Sequence, residues 1–351
     1  MVALLLGTTA WALDKKDGVY QIGTVEDLTA FATLVNGGEN FSGAVLTADI
    51  NCGNTQVSIG VDAYRYNGTF DGQGHKVTVN LYPTREGENL FGYIGIGGEV
   101  RNLIVDGLIT TDYKLAAGIC GRNQGVVANC VSLVSIYTSV SGDGTHAGIA
   151  AVSSGGAIIN CLSAVKIEGA VTENCGGIAG WCDTRTTMRN NLVLAEFNIK
   201  AVNGSGCISR NSGSIQNDGD NKGHYLQNFY LNKIGSDEGK GKQVTAEQLA
   251  SGEVCYLLNA GLATPQWTQK QGDAYPMPFP TYGQKVGASE ACDCLGRFAE
   301  GATPTFTFGG GAASETHTLE NGRCTKCGYF DFHAVPRDLD GYYLLSNADD
   351  C

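Results

Sequence analysis

The stretch AGICGRNQGVVANCVS, residues 117–132, alternates small, β-branched and cysteine residues with Gly, Asn and Ser. A similar stretch, AGIAAVSSGGAIINCLS, follows at 147–163, and weaker copies occupy 89–105, 176–193 and 205–217. One asparagine position recurs in all five copies at intervals of 27, 31, 30 and 27 residues: Asn102, Asn129, Asn160, Asn190 and Asn217. A period of roughly 20–50 residues indicates a solenoid or an array of repeats.

The composition of each copy identifies the kind of solenoid. Each contains two short runs of β-branched residues bounded by Gly, Asn or Ser, as strands do. The apolar spacing of three and four residues that helical repeats need is missing. The repeat therefore predicts an all-β protein, a right-handed parallel β-helix with coils stacked about 4.8 Å apart. In that stack Asn129 would occupy a left-handed corner and hydrogen-bond along a ladder, while Cys130 and Cys161 would fill the core.

The repeated pattern G-G-I-x-G-x-N-x-G-x-I-x-N-C-x-S resembles the GLUG repeat of bacterial surface proteins, notably those of Bacteroidetes. The likeness covers about 90–217, and the stretches 17–38, 66–81 and 245–279 resemble the usual opening and closing of such domains. It implies a secreted or surface-displayed β-helix protein, and most of the members it resembles look like adhesins. Some relatives are IgA-peptidase-like, but the HExxH motif is absent, so we do not expect peptidase activity in this segment.

Changes in composition divide the chain into four predicted parts. These are a signal-peptide remnant at 1–12, the β-helix at 13–282, a small Cys/His-rich module at 283–335 and the start of a second repeat domain at 336–351.

Two capping-box patterns predict short helices at the ends of the β-helix. Thr24 and Asp27 open the first, and Thr245 and Gln248 open the second, which Gly252 weakens. The first helix would cover the open end of the core, and the second is expected at the opposite end.

The charge and hydropathy of the chain exclude several kinds of partner. The net charge of −12 argues against nucleic acid and anionic membranes. No stretch approaches 18 consecutive apolar residues, so we expect no membrane insertion. We expect a monomer that is secreted or displayed on the cell surface.

The C-terminal quarter holds a candidate metal site. Cys324 and Cys327 form a C-x-x-C-G turn, His317 lies seven residues upstream, and Cys294 or Cys292 would complete a tetrahedral Cys₃His set. This spacing predicts structural Zn²⁺. Disulfides that join Cys292 or Cys294 to Cys324 or Cys327 are the alternative, and a redox dithiol is disfavoured because no thioredoxin-like βαβ unit surrounds the motif.

Candidate ligand-binding residues come from the N-terminal tyrosines and one polar loop. Several tyrosines, including Tyr82, cluster in the N-terminal third of the sequence. If they shared one face of the β-helix, they could stack on sugar rings. In the structural alternative each tyrosine covers a coil corner singly. The predicted ligand-binding set is Tyr64, Tyr66, Tyr93, Tyr113, Asp143 and His146.

No residue is assigned a catalytic role. Asp71, in FDGQGHKV, fits a tight corner better than an acid or base. The sequence therefore favours a non-catalytic adhesive module that binds a polysaccharide, a host glycan or a host protein. The alternatives are a polysaccharide lyase or glycoside hydrolase acting from a groove on the β-helix, and a structural stalk. An enzyme would bring acidic and basic residues together in a groove, and a binding module would present aromatic side chains together.

Overall fold

The computed structural model describes residues 13–211, 225–320 and 323–327, and these residues form a parallel β-helix. The predicted all-β class and the parallel coils are therefore confirmed. The predicted signal remnant at 1–12 and second repeat domain at 336–351 lie outside the described residues. None of the helices in the described part has the length and apolar character needed to cross a membrane.

Each repeat contributes strands to three sheets, which we number first to third. The first sheet contains Lys15–Lys16, Val19–Ile22, Ala44–Leu46, Thr69–Asp71, Glu99–Arg101, Val126–Ala128, Ala157–Ile159, Thr187–Arg189 and Tyr225–Leu226. The second contains Phe91–Ile94, Cys120–Asn123, Ala150–Ser153, Ala179–Cys182 and Ser209–Asn211. The third contains Ile50–Asn51, Lys76–Leu81, Ile104–Thr111, Val131–Ser132, Ser135–Thr138, Gly142–Asp143, Leu162–Ser163, Lys166–Glu173, Leu192–Val193, Glu196–Ala201, Phe229–Tyr230 and Lys242–Gln243. The strands pair in parallel except for the first two of the first sheet.

The core is a set of columns in which equivalent side chains stack from coil to coil. In the first sheet Val127 pairs with Ile158, and Ile158 pairs with Met188. All three side chains are fully buried. Burial of each such side chain contributes about 1.5–3 kcal/mol, so the columns supply much of the stability of the solenoid.

The cysteines inside the coils are core residues, as predicted for Cys130 and Cys161. They are free thiols in the structure and have no exposed surface: Cys120, Cys130, Cys161, Cys175, Cys182 and Cys207. Removal from water raises the pKa of the Cys130 thiol well above its usual value, so this side chain stays neutral.

The repeated asparagines turn the chain at the end of the first-sheet strands. Asn102, Asn129 and Asn160 each have a φ of 52°, and Asn190 has a φ of 56°. Among residues other than glycine, asparagine adopts this left-handed conformation most readily. The predicted corner is therefore confirmed. The predicted amide ladder is found in part, because Asn129 Nδ2 donates to Asn102 Oδ1 at 3.3 Å while Asn190 Nδ2 donates instead to the Leu258 carbonyl at 2.8 Å.

The fifth corner position is occupied by a glutamine. Arg189 pairs with Leu226, so the residue after each is equivalent, and Gln227 has a φ of 53°. Asn217 lies outside the described residues. The repeats thus extend beyond the predicted end at 217. The regular interval predicted Asn217 as the fifth corner, but the coil between Asn190 and Gln227 is longer than the preceding ones, so the corner falls at Gln227.

Helix α1, Val25–Asn36, begins at the predicted capping box and packs on the first coils. Thr24 accepts a hydrogen bond from the Asp27 amide, and the Asp27 carboxylate accepts one from the Thr24 amide. Phe31 is fully buried and contacts the rings of Tyr20, Tyr66 and Phe70. This packing removes the core at this end from water.

The second predicted helix forms as two, α2 (Ala246–Ala250) and α3 (Glu253–Leu258), which Gly252 separates with a φ of 87°. The prediction that it lies at the far end of the β-helix is wrong. Both helices pack instead on the side of the coils, over a column of third-sheet residues that would otherwise be exposed: Val131, Leu162, Leu192 and Phe229.

The chain beyond α3 has little regular structure. Val286–Ala288 pairs with Phe306–Phe308, and Leu319–Glu320 pairs with Arg323–Cys324, both antiparallel. The ring of Tyr256 on α3 lies 5.8 Å from that of Phe298 and 5.7 Å from that of Phe306. These aromatic contacts attach the first hairpin to the helices.

The corner conformation predicts an order of stability for substitutions at Asn190. Asn190→Ala and Asn190→Gly both lose the hydrogen bond to Leu258, but only alanine is strained at a φ of 56°. We expect the glycine variant to be more stable than the alanine variant by about 1 kcal/mol in urea unfolding. An alanine variant as stable as the glycine variant would show that the corner imposes no such strain.

Candidate metal centre and adjoining groove

Four side chains predicted as metal ligands lie together. The ligand atoms of Cys294, His317, Cys324 and Cys327 are all within 4.8 Å of one another. Cys292, the other candidate for the fourth position, is not in this group. A tetrahedron with Zn–S bonds of about 2.3 Å places its donors about 3.8 Å apart, so the four residues fit a metal ion after small shifts.

Local backbone structure brings the four ligands to one point. Cys324 ends a short hairpin, and the turn that follows returns Cys327 towards it. His317 is held by its amide, which donates to the Gly261 carbonyl at 2.9 Å. Its Nδ1 lies 3.4 Å from Cys327 Sγ. Cys294 follows the first hairpin strand and is 1% exposed.

The pKa values of two thiols in the group, Cys294 and Cys324, shift in opposite directions. At Cys294 burial is the main cause of a raised pKa, and neighbouring Cys324 adds to it. Burial acts in the same direction at Cys324, but amides including those of Lys326 and Cys327 hydrogen-bond the sulfur and bring its pKa below the usual value. Amide groups directed at a sulfur favour the thiolate, the form that binds metal.

A groove adjoins the metal centre. This corner groove has a volume of about 890 Å³ and lies between the corner asparagines and the segments 261–282 and 317–319. One wall presents the amides of Asn102, Asn129 and Asn160. The other includes the apolar groups of Met277, Phe279 and Tyr282.

Acidic and basic side chains meet at one end of the corner groove. Asp71 Oδ2 accepts from Arg101 Nε at 3.0 Å, and Arg101 Nη1 lies 3.7 Å from Glu99 Oε1. Asp71 Oδ1 accepts from the Gln73 amide at 2.9 Å and from Asn102 Nδ2 at 3.0 Å. Both oxygens of Asp71 are therefore used in holding the corner, as the sequence predicted, and Arg101 bridges the two carboxylates.

Two amide oxygens in the corner groove have unmet hydrogen-bonding capacity. Asn129 Oδ1 and Asn160 Oδ1 are buried and have no hydrogen-bond partner among the described residues, and Asn160 is 9% exposed. The Asn129 amide nitrogen is engaged, because it also donates to Gln266 Oε1 at 3.0 Å. A buried carbonyl without a donor costs about 1–3 kcal/mol, so this wall is suited to a ligand that carries O–H or N–H groups.

The metal centre and the corner groove share a residue. His317 belongs to the ligand group and also lines the groove. Its ring packs directly on Gly261, where a Cβ would come within 2.3 Å of Nε2, and Gly261 has a φ of 86°. A bound metal would therefore fix the position of this part of the groove.

Two of the predicted ligand-binding residues are core residues, which corrects that prediction. Tyr66 has no exposed surface and packs among Phe31 and Phe91, with its hydroxyl donating to the Ser42 carbonyl. His146 is also fully buried. Its Nδ1 accepts from the Ala116 amide at 3.1 Å, so Nε2 carries the proton and donates to Thr138 Oγ1 at 2.9 Å.

The other four predicted residues are exposed or half-buried. Tyr64 and Tyr113 are 44% and 39% exposed, and the Arg65 guanidinium covers the ring of Tyr93 at 4.3 Å. Asp143 makes ion pairs with Arg210 at 3.1 Å and Lys114 at 3.5 Å. None of the six predicted residues lines the corner groove.

The residues that do line the groove were not predicted from the sequence. The recurrence of the corner asparagines was a usable signal, because one amide per coil at one corner places a row of polar groups on one edge. No signal in the sequence indicated that 261–282 would cover that edge.

Comparisons with known proteins identify no family for this chain. No protein-family model matches it, and no curated protein is detectably similar to it. A solved structure of a Bacteroides ovatus protein, provisionally described as an immunoglobulin A1 protease, is similar with a TM-score of 0.45 and 19% sequence identity. The match covers 75% of this chain and 92% of that one. The functional interpretation therefore depends on the residues of the chain itself.

The buried histidine predicts a loss of stability in mild acid. Burial lowers the pKa of His146 to about 4, against 6.5 ordinarily. Between these values the unfolded chain binds the extra proton, so His146 makes stability fall as the pH falls from about 6.5 to about 4. We expect His146 to lower the free energy of unfolding, measured with urea, by about 2–3 kcal/mol at pH 4.5 relative to pH 7. The His146→Gln variant should lose less stability than the parent protein over this pH range. An equal loss of stability in both proteins would contradict the lowered pKa of His146.

Proposed function

We propose that the chain is a secreted or surface-displayed, non-catalytic module of the GLUG-repeat kind that binds a glycan in the corner groove. The observation that carries this proposal is that Asn129 and Asn160 line the groove and that the amide oxygen of each is buried without a donor among the described residues. Sugar hydroxyls are suitable donors for such oxygens, and the apolar wall at Met277 and Phe279 suits the C–H faces of a sugar ring.

The alternative of a hydrolase or lyase has one favourable observation. Asp71, Glu99 and Arg101 meet in the groove, as an enzyme requires. However, glycosidases hold two carboxyl groups about 5–9.5 Å apart with the sugar between them. Here Arg101 bridges the two carboxylates, and Asp71 has no free oxygen to transfer a proton. This arrangement supports binding over catalysis.

We further propose that Zn²⁺ occupies the Cys₃His group. Three sulfurs and one imidazole are a donor set that zinc prefers. The presence of His317 in the cluster favours a metal over disulfides, because a disulfide among the cysteines would leave the histidine and one thiol without a role. With four protein ligands the ion would be structural, and it would hold the 283–327 segment together.

A glycan array tests the binding proposal. We expect Asn129→Gly with Asn160→Gly to weaken the glycan affinity about tenfold, since each lost hydrogen bond costs about 0.5–1.5 kcal/mol. Glycine keeps the left-handed corner at both positions, where φ is 52°. Gln227→Gly is the matched control, because Gln227 occupies an equivalent corner with a φ of 53°, two coils from Asn160, and does not line the groove.

The same polysaccharides should be assayed for new reducing or unsaturated ends. Binding without new ends supports a non-catalytic module. New ends that disappear in Glu99→Gln would establish the enzyme instead, and glycan binding unchanged in the double glycine variant would place the site elsewhere.

Metal analysis of the purified protein tests the zinc proposal. We expect one zinc per chain, with occupancy lost in Cys324→Ser and Cys327→Ser and kept in Cys292→Ser, since Cys292 lies near the centre but outside the ligand group. A chelator should lower the thermal stability of the parent protein. A metal-free protein whose mass shows loss of hydrogen at these cysteines would establish disulfides instead.

A further inference from the structure

A row of exposed side chains crosses the third sheet at a distance from the residues of the corner groove. Tyr137 pairs with Thr110 on one side and with Glu168 on the other, and Glu168 pairs with Asn198. Leu81 pairs with Ile109, so the following residue, Tyr82, lies beside Thr110. We call this set the tyrosine row: Tyr82, Thr110, Tyr137, Glu168 and Asn198.

The two tyrosines of the row are spaced apart. Tyr82 is 49% exposed and Tyr137 is 51% exposed. They lie two strands apart, about 9.6 Å along the β-helix axis, which is too far for the rings to stack on each other. Thr110, between them, is too short to fill the gap. The rings therefore border a trough of about 700 Å³, which Asp112 and Ser139 also line.

Polar groups continue the row beyond the rings. Glu168 Oε2 accepts from Asn198 Nδ2 at 2.7 Å, which holds the carboxylate at the trough. Its neighbour Lys166 is engaged with Glu196 at 3.3 Å. The trough thus combines two aromatic faces with carboxylate, amide and hydroxyl groups, and the described residues that line it include no cation.

We propose that the tyrosine row binds an uncharged oligosaccharide that runs along the β-helix axis. The C–H faces of two sugar rings would stack on Tyr82 and Tyr137, and their hydroxyls would hydrogen-bond Glu168 and Asp112. The acidic groups of the trough and the net charge of −12 disfavour uronic or sulfated chains. This site has its own residues and does not depend on the corner groove.

Affinity electrophoresis in gels that contain β-glucan, xylan or galactomannan tests the proposal, with polygalacturonate as the anionic comparison. We expect at least one neutral polysaccharide to retard the protein. Tyr82→Ala with Tyr137→Ala should weaken this binding by tenfold or more, because a stacked ring contributes about a factor of two to ten. Both rings are half-exposed, so the variant should fold, which its melting temperature checks.

Matched variants separate binding at the tyrosine row from binding elsewhere on the chain. Phe41→Ala removes a ring of similar exposure, 53%, at another place and should bind as the parent does. Tyr137→Trp should retain binding because it keeps the aromatic face. The corner variant with Asn129→Gly and Asn160→Gly should still be retarded, so failure of the corner groove and failure of this row are distinguishable. Retardation unchanged by the double alanine variant, retardation by polygalacturonate alone, or retardation by none of the four polysaccharides would overturn the proposal.

Discussion

The architecture depends on a left-handed turn at the end of the first-sheet strands. A parallel β-helix must change direction between sheets in every coil, and a left-handed residue does so in a single step. Asn102, Asn129 and Asn160 share the same φ of 52°, so successive coils turn alike and their strands remain in register. The stacking of Val127 on Ile158, and of Ile158 on Met188, follows from that register.

The same corner forms one wall of the corner groove. A turn made by asparagine places one amide per coil along an edge, and these amides satisfy one another only in part. Asn190 donates a hydrogen bond to the Leu258 carbonyl of α3, and Asn129 donates one to Gln266. The corner asparagines therefore attach the C-terminal segments to the coils. Asn160 Oδ1 has no such partner within the described chain. The row of asparagines that turns the coils therefore also lines a groove, because other segments of the chain cover part of it.

The sequence predicted the features that are written in local patterns. The asparagine interval predicted four of the five corner positions, and Thr24 with Asp27 predicted the start of α1. The C-x-x-C turn with His317 and Cys294 predicted the Cys/His group that could hold a metal. Features that depend on register across coils could not be predicted in this way. Tyr66 and Tyr82 lie in the same part of the sequence, yet one faces the core and the other faces solvent, because strand alternation and coil length decide the side. Tyr137 and Tyr82 lie in one row because strand pairing places them on either side of Thr110, and this pairing could not be predicted from local patterns.

The C-terminal segment differs from the coils in how it is held together. The coils have continuous core columns, whereas 283–327 has strands of only two or three residues. Strands this short bury little apolar surface of their own, so a cross-link within the segment would add to its stability. The rings of Tyr256, Phe298 and Phe306 fix its first hairpin, and the Cys₃His group lies at the second, beside the corner groove. Since His317 belongs to both the group and the groove, a metal bound at the group would also hold this part of the groove wall in place.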